Sequence, residues 1–81
     1  VNVTVVCFGR MRERLPEGSN GNRAVLSTRE GATVAEVIES LGAPIEEVFA
    51  VLVDGGQAAL DEVLREGSEV TLMPPFTGGT I

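Results

Sequence analysis

Apolar and polar residues alternate from the first positions of the chain. Val3, Val5 and Cys7 fall on one side of residues 2–8, and Thr4, Val6 and Phe8 on the other. A period of two predicts a strand. Residues 10–21, RMRERLPEGSNG, lose the alternation and carry Pro16, Gly18 and Gly21. They read as a long turn with one helical turn near Met11–Leu15. Alternation returns over 22–30, with Ala24, Leu26 and Thr28 against Val25 and Ser27, predicting an antiparallel hairpin with a loose tip. The period then changes. Val34, Val37, Ile38 and Leu41 are spaced i, i+3, i+4 and i+7, one helical stripe over 34–41. Thr33 with Glu36 three residues on forms a capping box. Gly42 suits the left-handed position after the helix, and Pro44 prevents continuation.

The second half is shorter-grained. Residues 45–48 read as a short turn and FAVLV at 49–53 as a central buried strand, because it is apolar without alternation. Asp54-Gly55-Gly56 is turn chemistry, and this internal diglycine is read as a hairpin turn. Residues 57–60 suggest a short edge strand, and Asp61–Arg65 one helical turn stopped by Gly67. EVTLM at 69–73 is the last strand, with Val70 and Leu72 inward. One amphipathic helix on a mixed sheet is an α+β two-layer arrangement. A hairpin, a crossing helix and a final strand entering the sheet interior describe a ubiquitin-like β-grasp. Residues 1–73 are the domain, and 74–81 an extended, flexible C-terminal tail.

Composition narrows the function. The chain has 81 residues and a net charge of −6, from 6 basic and 12 acidic side chains. That balance argues against nucleic acid, whose phosphates need a positive footprint, and against anionic membranes. It favours a basic protein partner. There is no Lys, His, Trp or Tyr, so imidazole catalysis and His-ligated metals are excluded. So small a domain has little core to spare for an enclosed pocket, which argues against an enzyme with its own site. One Cys makes no internal disulfide. Cys7 shares a face with Val3 and Val5 and reads as a core thiol rather than a sulfur relay. The carboxylates read as solvated surface with no metal-ligand spacing. The first nine residues lack the basic and long apolar regions of a leader, and Val1 fits removal of an initiator Met. No apolar run approaches the roughly 20 residues of a membrane span. A cytoplasmic address is expected.

The chemistry points to the last eight residues, PPFTGGTI. Pro74 and Pro75 have no backbone N–H, so they end strand pairing and stiffen the chain. Six residues from Pro74 to Gly79 reach about 20 Å when extended. Glycines suit a backbone that threads a narrow channel, where Cβ atoms would strike the walls. A terminal glycyl carboxylate is unhindered, and a nucleotide-dependent enzyme could adenylate it for displacement by sulfide or a thiolate.

The stretch LREGSEVTLMPPFTGG, Leu64 to Gly79, resembles the C-terminal signature of sulfur-carrier β-grasp proteins. It is most similar to the small subunit of molybdopterin synthase, with the thiamine-pathway sulfur carrier more distant. The shared positions are Glu66, Gly67, Ser68, Glu69, Val70, Pro74, Pro75, Thr77, Gly78 and Gly79. VVCFGRMRER at the other end resembles that family's first strand and following turn at Phe8, Gly9 and Arg12-Glu13. The resemblance implies an E1-like enzyme that binds the sheet face and tail and uses ATP to adenylate the terminal glycine. A sulfur donor then makes a thiocarboxylate for the large synthase subunit. It implies no permanently bound cofactor and no catalysis by the chain itself. Gly79 would be the carrier residue and Gly78 the channel residue. Phe8, Met73 and Phe76 would form the apolar docking surface beside Pro74, Pro75 and Thr77, and Arg12 would pair with an acidic neighbour or partner. Thr80-Ile81 depart from the pattern. Either a peptidase removes them, or the variant is inactive, or they are foreign to the natural chain; processing is the reading favoured. A ubiquitin-like modifier of lysines, a plain binding module, and a sulfur carrier for thiamine, tRNA thiolation or cysteine remain alternatives. Having no Lys, such a modifier could not build chains on itself.

Overall fold

The computed structural model describes residues 1–15 and 21–74. Among these residues five strands form one sheet: β1 (Asn2–Cys7), β2 (Arg23–Ser27), β3 (Ala50–Val53), β4 (Gly56–Gln57) and β5 (Glu69–Met73), in the order β2-β1-β5-β3-β4. The last strand is thus the central one, as expected. It runs parallel to β1, with Val5 beside Val70 and Cys7 beside Leu72, and antiparallel to β3, with Val51 beside Leu72. β1 and β2 form the expected antiparallel hairpin, Val3 facing Leu26.

One helix, α1 (Val34–Ser40), covers one face. Val34, Val37 and Ile38 are fully buried against Val3, Val5, Cys7, Val51, Val70 and Leu72, and Leu41 packs at the margin. The strand side chains follow from period-two alternation and those of α1 from period 3.6, which is why both patterns were readable. Gly42 follows the helix at φ +74°, a conformation that Gly adopts without Cβ strain.

The capping box is half formed. Thr33 Oγ1 accepts from the Glu36 N–H at 3.4 Å. The Glu36 carboxylate turns instead to the Arg29 guanidinium, at 2.6 and 2.8 Å. That ion pair holds the Glu36 carboxyl below its ordinary range.

Other expectations are corrected as well. Asp61–Arg65 is not a helical turn. Val63 bridges Thr33, and the carbonyls of Glu62 and Leu60 accept from the N–H groups of Val34 and Ala35 at 3.1 and 2.9 Å. Those two N–H groups open α1 and have no partner inside it, so carbonyls that a local helix would have used are drawn to them. Leu64 follows and is buried, its N–H donating to Ala32 at 2.8 Å. The predicted turn near Met11–Leu15 is a 3-10 helix over Gly9–Arg14, which buries Met11 as a core plug. A second 3-10 helix covers Ile45–Glu47. The strand expected at 49–53 begins at Ala50 and is not wholly buried: its one inner neighbour is β5, and β4 has only two residues. The edge strand expected at 57–60 is shortened accordingly to Gly56–Gln57.

Core and surface positions should differ sharply on trimming. Ile38→Val should lose about 0.5–1.5 kcal/mol in urea unfolding with an unchanged slope. Val25→Ala, on the open face and 68% exposed, should stay within about 0.5 kcal/mol.

Candidate functional site

The central strand carries the tail's root. At the end of β5 the Leu72 carbonyl accepts from the Phe8 N–H at 3.2 Å, and the Met73 carbonyl from the Phe49 N–H at 2.7 Å. The last two β5 carbonyls are therefore held from opposite sides, one by the chain leaving β1 and one by the chain entering β3. Pro74 follows, against Gly9. Its missing N–H ends the ladder at this row.

No described helix or strand covers the face away from α1, although Val6 and Thr71 on it are buried. Alternation and register place Val6, Thr71 and Leu52 abreast on it, with Met73 beside Ala50 in the row nearest the tail. Arg23 and Glu69 meet at 2.8 Å across β1. Val6 beneath them is only 4% exposed. Both side chains of that ion pair are well solvated, so it covers more than it stabilises.

Among the expected site residues, the structure brings Phe8, Met73 and Pro74 together. Phe8 is 43% exposed, and Met73 and Pro74 are half-buried. Arg12 lies exposed on the 3-10 helix after β1, and the described ion pairs are Arg23–Glu69 and Arg29–Glu36. Pro75, Phe76, Thr77, Gly78 and Gly79, with Thr80 and Ile81, lie outside the described residues.

Phe49 is the residue that sequence reading missed. It is 73% exposed and flanks the tail root opposite Phe8. Strand parity puts it on the helix side with Val51, but α1 is seven residues, about 10 Å long, and the sheet end extends past such a cover. The available signal was its place near the start of an apolar run, two residues after Glu46-Glu47. Ile45 is also partly exposed, at 39%. The root of the tail therefore has an apolar rim on both sides.

Cys7 is fully buried beneath this end of the sheet, and burial pushes its thiol up to about 11. It cannot offer a thiolate near neutral pH. No group of three metal-ligating side chains occurs among the described residues. No helix among them is long and apolar enough to cross a membrane.

A family model described as Mut7-C ubiquitin matches residues 1–78. No curated protein matches the sequence. Among solved structures, SAMP1 of Haloferax volcanii is 28% identical over 98% of this chain and 100% of its own, with a TM-score of 0.72. A protein from Pyrococcus furiosus, described as a candidate molybdopterin converting factor subunit 1, is 26% identical over 94% of this chain and 99% of its own, with a TM-score of 0.70. A complex of molybdopterin-converting factor subunits 1 and 2 from Helicobacter pylori matches at 20% identity over 98% of this chain and 100% of that one, TM-score 0.64. That last likeness is one of fold.

The raised Cys7 thiol has a testable consequence. Its native pKa lies above the unfolded value of 9.0, so the native state holds this proton more tightly. The stabilisation is complete below pH 9 and should be lost as pH rises to about 11, by about 2–3 kcal/mol. No Lys or Tyr titrates in that window. Urea melts of the protein and of Cys7→Ala between pH 8 and 11.5 should show the loss in the first and its absence in the second.

Proposed function

This chain belongs to the Mut7-C ubiquitin family, and we propose that it is a carrier whose reactive group is the Gly79 carboxyl, exposed once Thr80-Ile81 are removed by a peptidase. The observation that carries the reading is the placement of the tail root. Pro74 leaves the central strand at a sheet end rimmed by Phe8, Met73 and Phe49. Residues 1–73 serve recognition, and 74–79 deliver one carboxyl about 20 Å outward. The domain is a co-substrate rather than a catalyst.

In the proposed reaction an E1-like enzyme docks on the open sheet face and rim. A Gly79 carboxylate oxygen attacks the α-phosphorus of ATP, and pyrophosphate leaves. Sulfide sulfur then attacks the acyl carbon, AMP leaves, and a thiocarboxylate remains. Its sulfur passes to a second partner. The likeness to the Pyrococcus furiosus protein supports a molybdopterin synthase large subunit in that role. ATP belongs to the activating enzyme, no cofactor stays on this chain, and the reaction is assigned to the cytoplasm. The net charge of −6 favours partners with basic docking faces.

A second reading, conjugation of Gly79 to lysines of target proteins, is favoured by the likeness to SAMP1, a small archaeal modifier protein. It uses the same adenylated carboxyl with an amine in place of sulfide.

Incubation of the Gly79-terminated chain with an E1-like enzyme, ATP and sulfide should add about 16 Da, sulfur for oxygen. No gain with a series of such enzymes would defeat the carrier reading. Isopeptide-linked adducts in cells, without a thiocarboxylate, would select the modifier reading. Phe49→Glu and Phe8→Glu should each weaken E1 binding about tenfold or more, as loss of a central apolar anchor does, with the urea midpoint little changed.

A further inference from the structure

We propose that Gly9 is a positioning residue for the tail: its bare Cα is the seat on which Pro74 rests, and so it sets the direction in which the chain leaves β5. Two independent features meet at this residue. Its φ is +58°, in the left-handed region that costs an ordinary residue strain. A Cβ built on it would stand 2.9 Å from Pro74 Cγ and 3.7 Å from Pro74 Cδ. The first distance is shorter than a carbon–carbon contact allows.

The surroundings leave that collision no local outlet. Phe8, immediately before Gly9, is tied to β5 by its N–H on the Leu72 carbonyl, and its own carbonyl accepts from the Met11 N–H at 3.1 Å. Met11 is locked in the core at 1% exposure. Both sides of Gly9 are therefore anchored. On the other partner, Met73 is held by Phe49 through its carbonyl, so Pro74 is the first residue of its strand free of the ladder. A side chain at position 9 would be relieved most readily by swinging Pro74, and everything attached to it, away from β1. The rigid pyrrolidine transmits that swing, because its φ is fixed near −65°.

Gly9 thus acts through Pro74 on a carboxyl five residues further on. It touches neither the reacting atoms nor the open face. This inference rests on the carrier reading for its kinetic consequence but not for its structural one, and the two are tested apart. Gly9→Asn is the informative variant: Asn tolerates the left-handed turn, so the substitution adds the Cβ with little backbone strain. In solution NMR of the full chain, a Gly9 Hα–Pro74 Hγ contact should be present in the natural protein. In Gly9→Asn the Pro74 resonances should shift while the Phe8 and Phe49 amides keep their hydrogen-exchange protection. Absence of the contact in the natural protein, or unchanged Pro74 resonances in the variant, overturns the seat.

The kinetic arm uses Gly79-terminated chains with the E1-like enzyme and ATP. The docking face is intact in Gly9→Asn, so KM should stay within about twofold while kcat falls about tenfold or more, as a misplaced reacting group requires. Adding Pro74→Ala, which deletes Cγ and Cδ, should make the Asn substitution nearly silent relative to Pro74→Ala alone. Equal kcat for the natural chain and Gly9→Asn, or the same fall on both backgrounds, overturns the positioning role and leaves the carrier reading standing. If the natural chain is never activated, the carrier reading falls and the NMR arm alone decides the seat.

Discussion

The rest of the structure depends on the hydrogen bonding of β5 from both sides. A strand paired parallel to β1 and antiparallel to β3 has its backbone groups satisfied along its length, and its inward residues Val70 and Leu72 are sealed under α1. Because this is the last of the described strands, Pro74 leaves from the middle of the sheet. The bonds from Phe8 and Phe49 to the final two carbonyls fix where that happens.

The two faces of the sheet divide the work. One is closed by a seven-residue helix, too short to cover the sheet end, and leaves Phe49 in solvent. No described helix or strand lies on the other, where the Arg23–Glu69 pair meets above β1 and Val6 and Thr71 are nevertheless buried. Most of the buried apolar side chains lie on the helix face, with Met11 and Leu64 closing its margins, and Val6 is buried on the other.

Local segments serve the whole in ways that conflict with their own propensities. Residues 60–62 give up carbonyls to the first turn of α1, and the cap of that helix is built partly from a distant stretch of chain. Glu36 forgoes the reciprocal half of its capping box for a bidentate bond to Arg29. The carbonyl partners of the first case lie far along the sequence, where local pattern reading has no access to them; in the second, Arg29 is only seven residues away and wins as a charged, bidentate partner.

The sequence by itself determined the strands β1, β2 and β5, the helix and its stop at Gly42, and the buried character of Cys7, because alternation, helical spacing and turn residues are properties of neighbours in the chain. Its resemblance to sulfur carriers also singled out Phe8, Met73 and Pro74, which the fold gathers at one sheet end. Only the tertiary structure decided the bridging of Val63 to Thr33 in place of a helical turn at Asp61–Arg65, the exposure of Phe49, and the contact of Gly9 with Pro74. Those three follow from which distant groups meet, and the meeting of residues 9 and 74 is fixed by the parallel pairing of the first strand with the last, a relation that no window of the sequence contains.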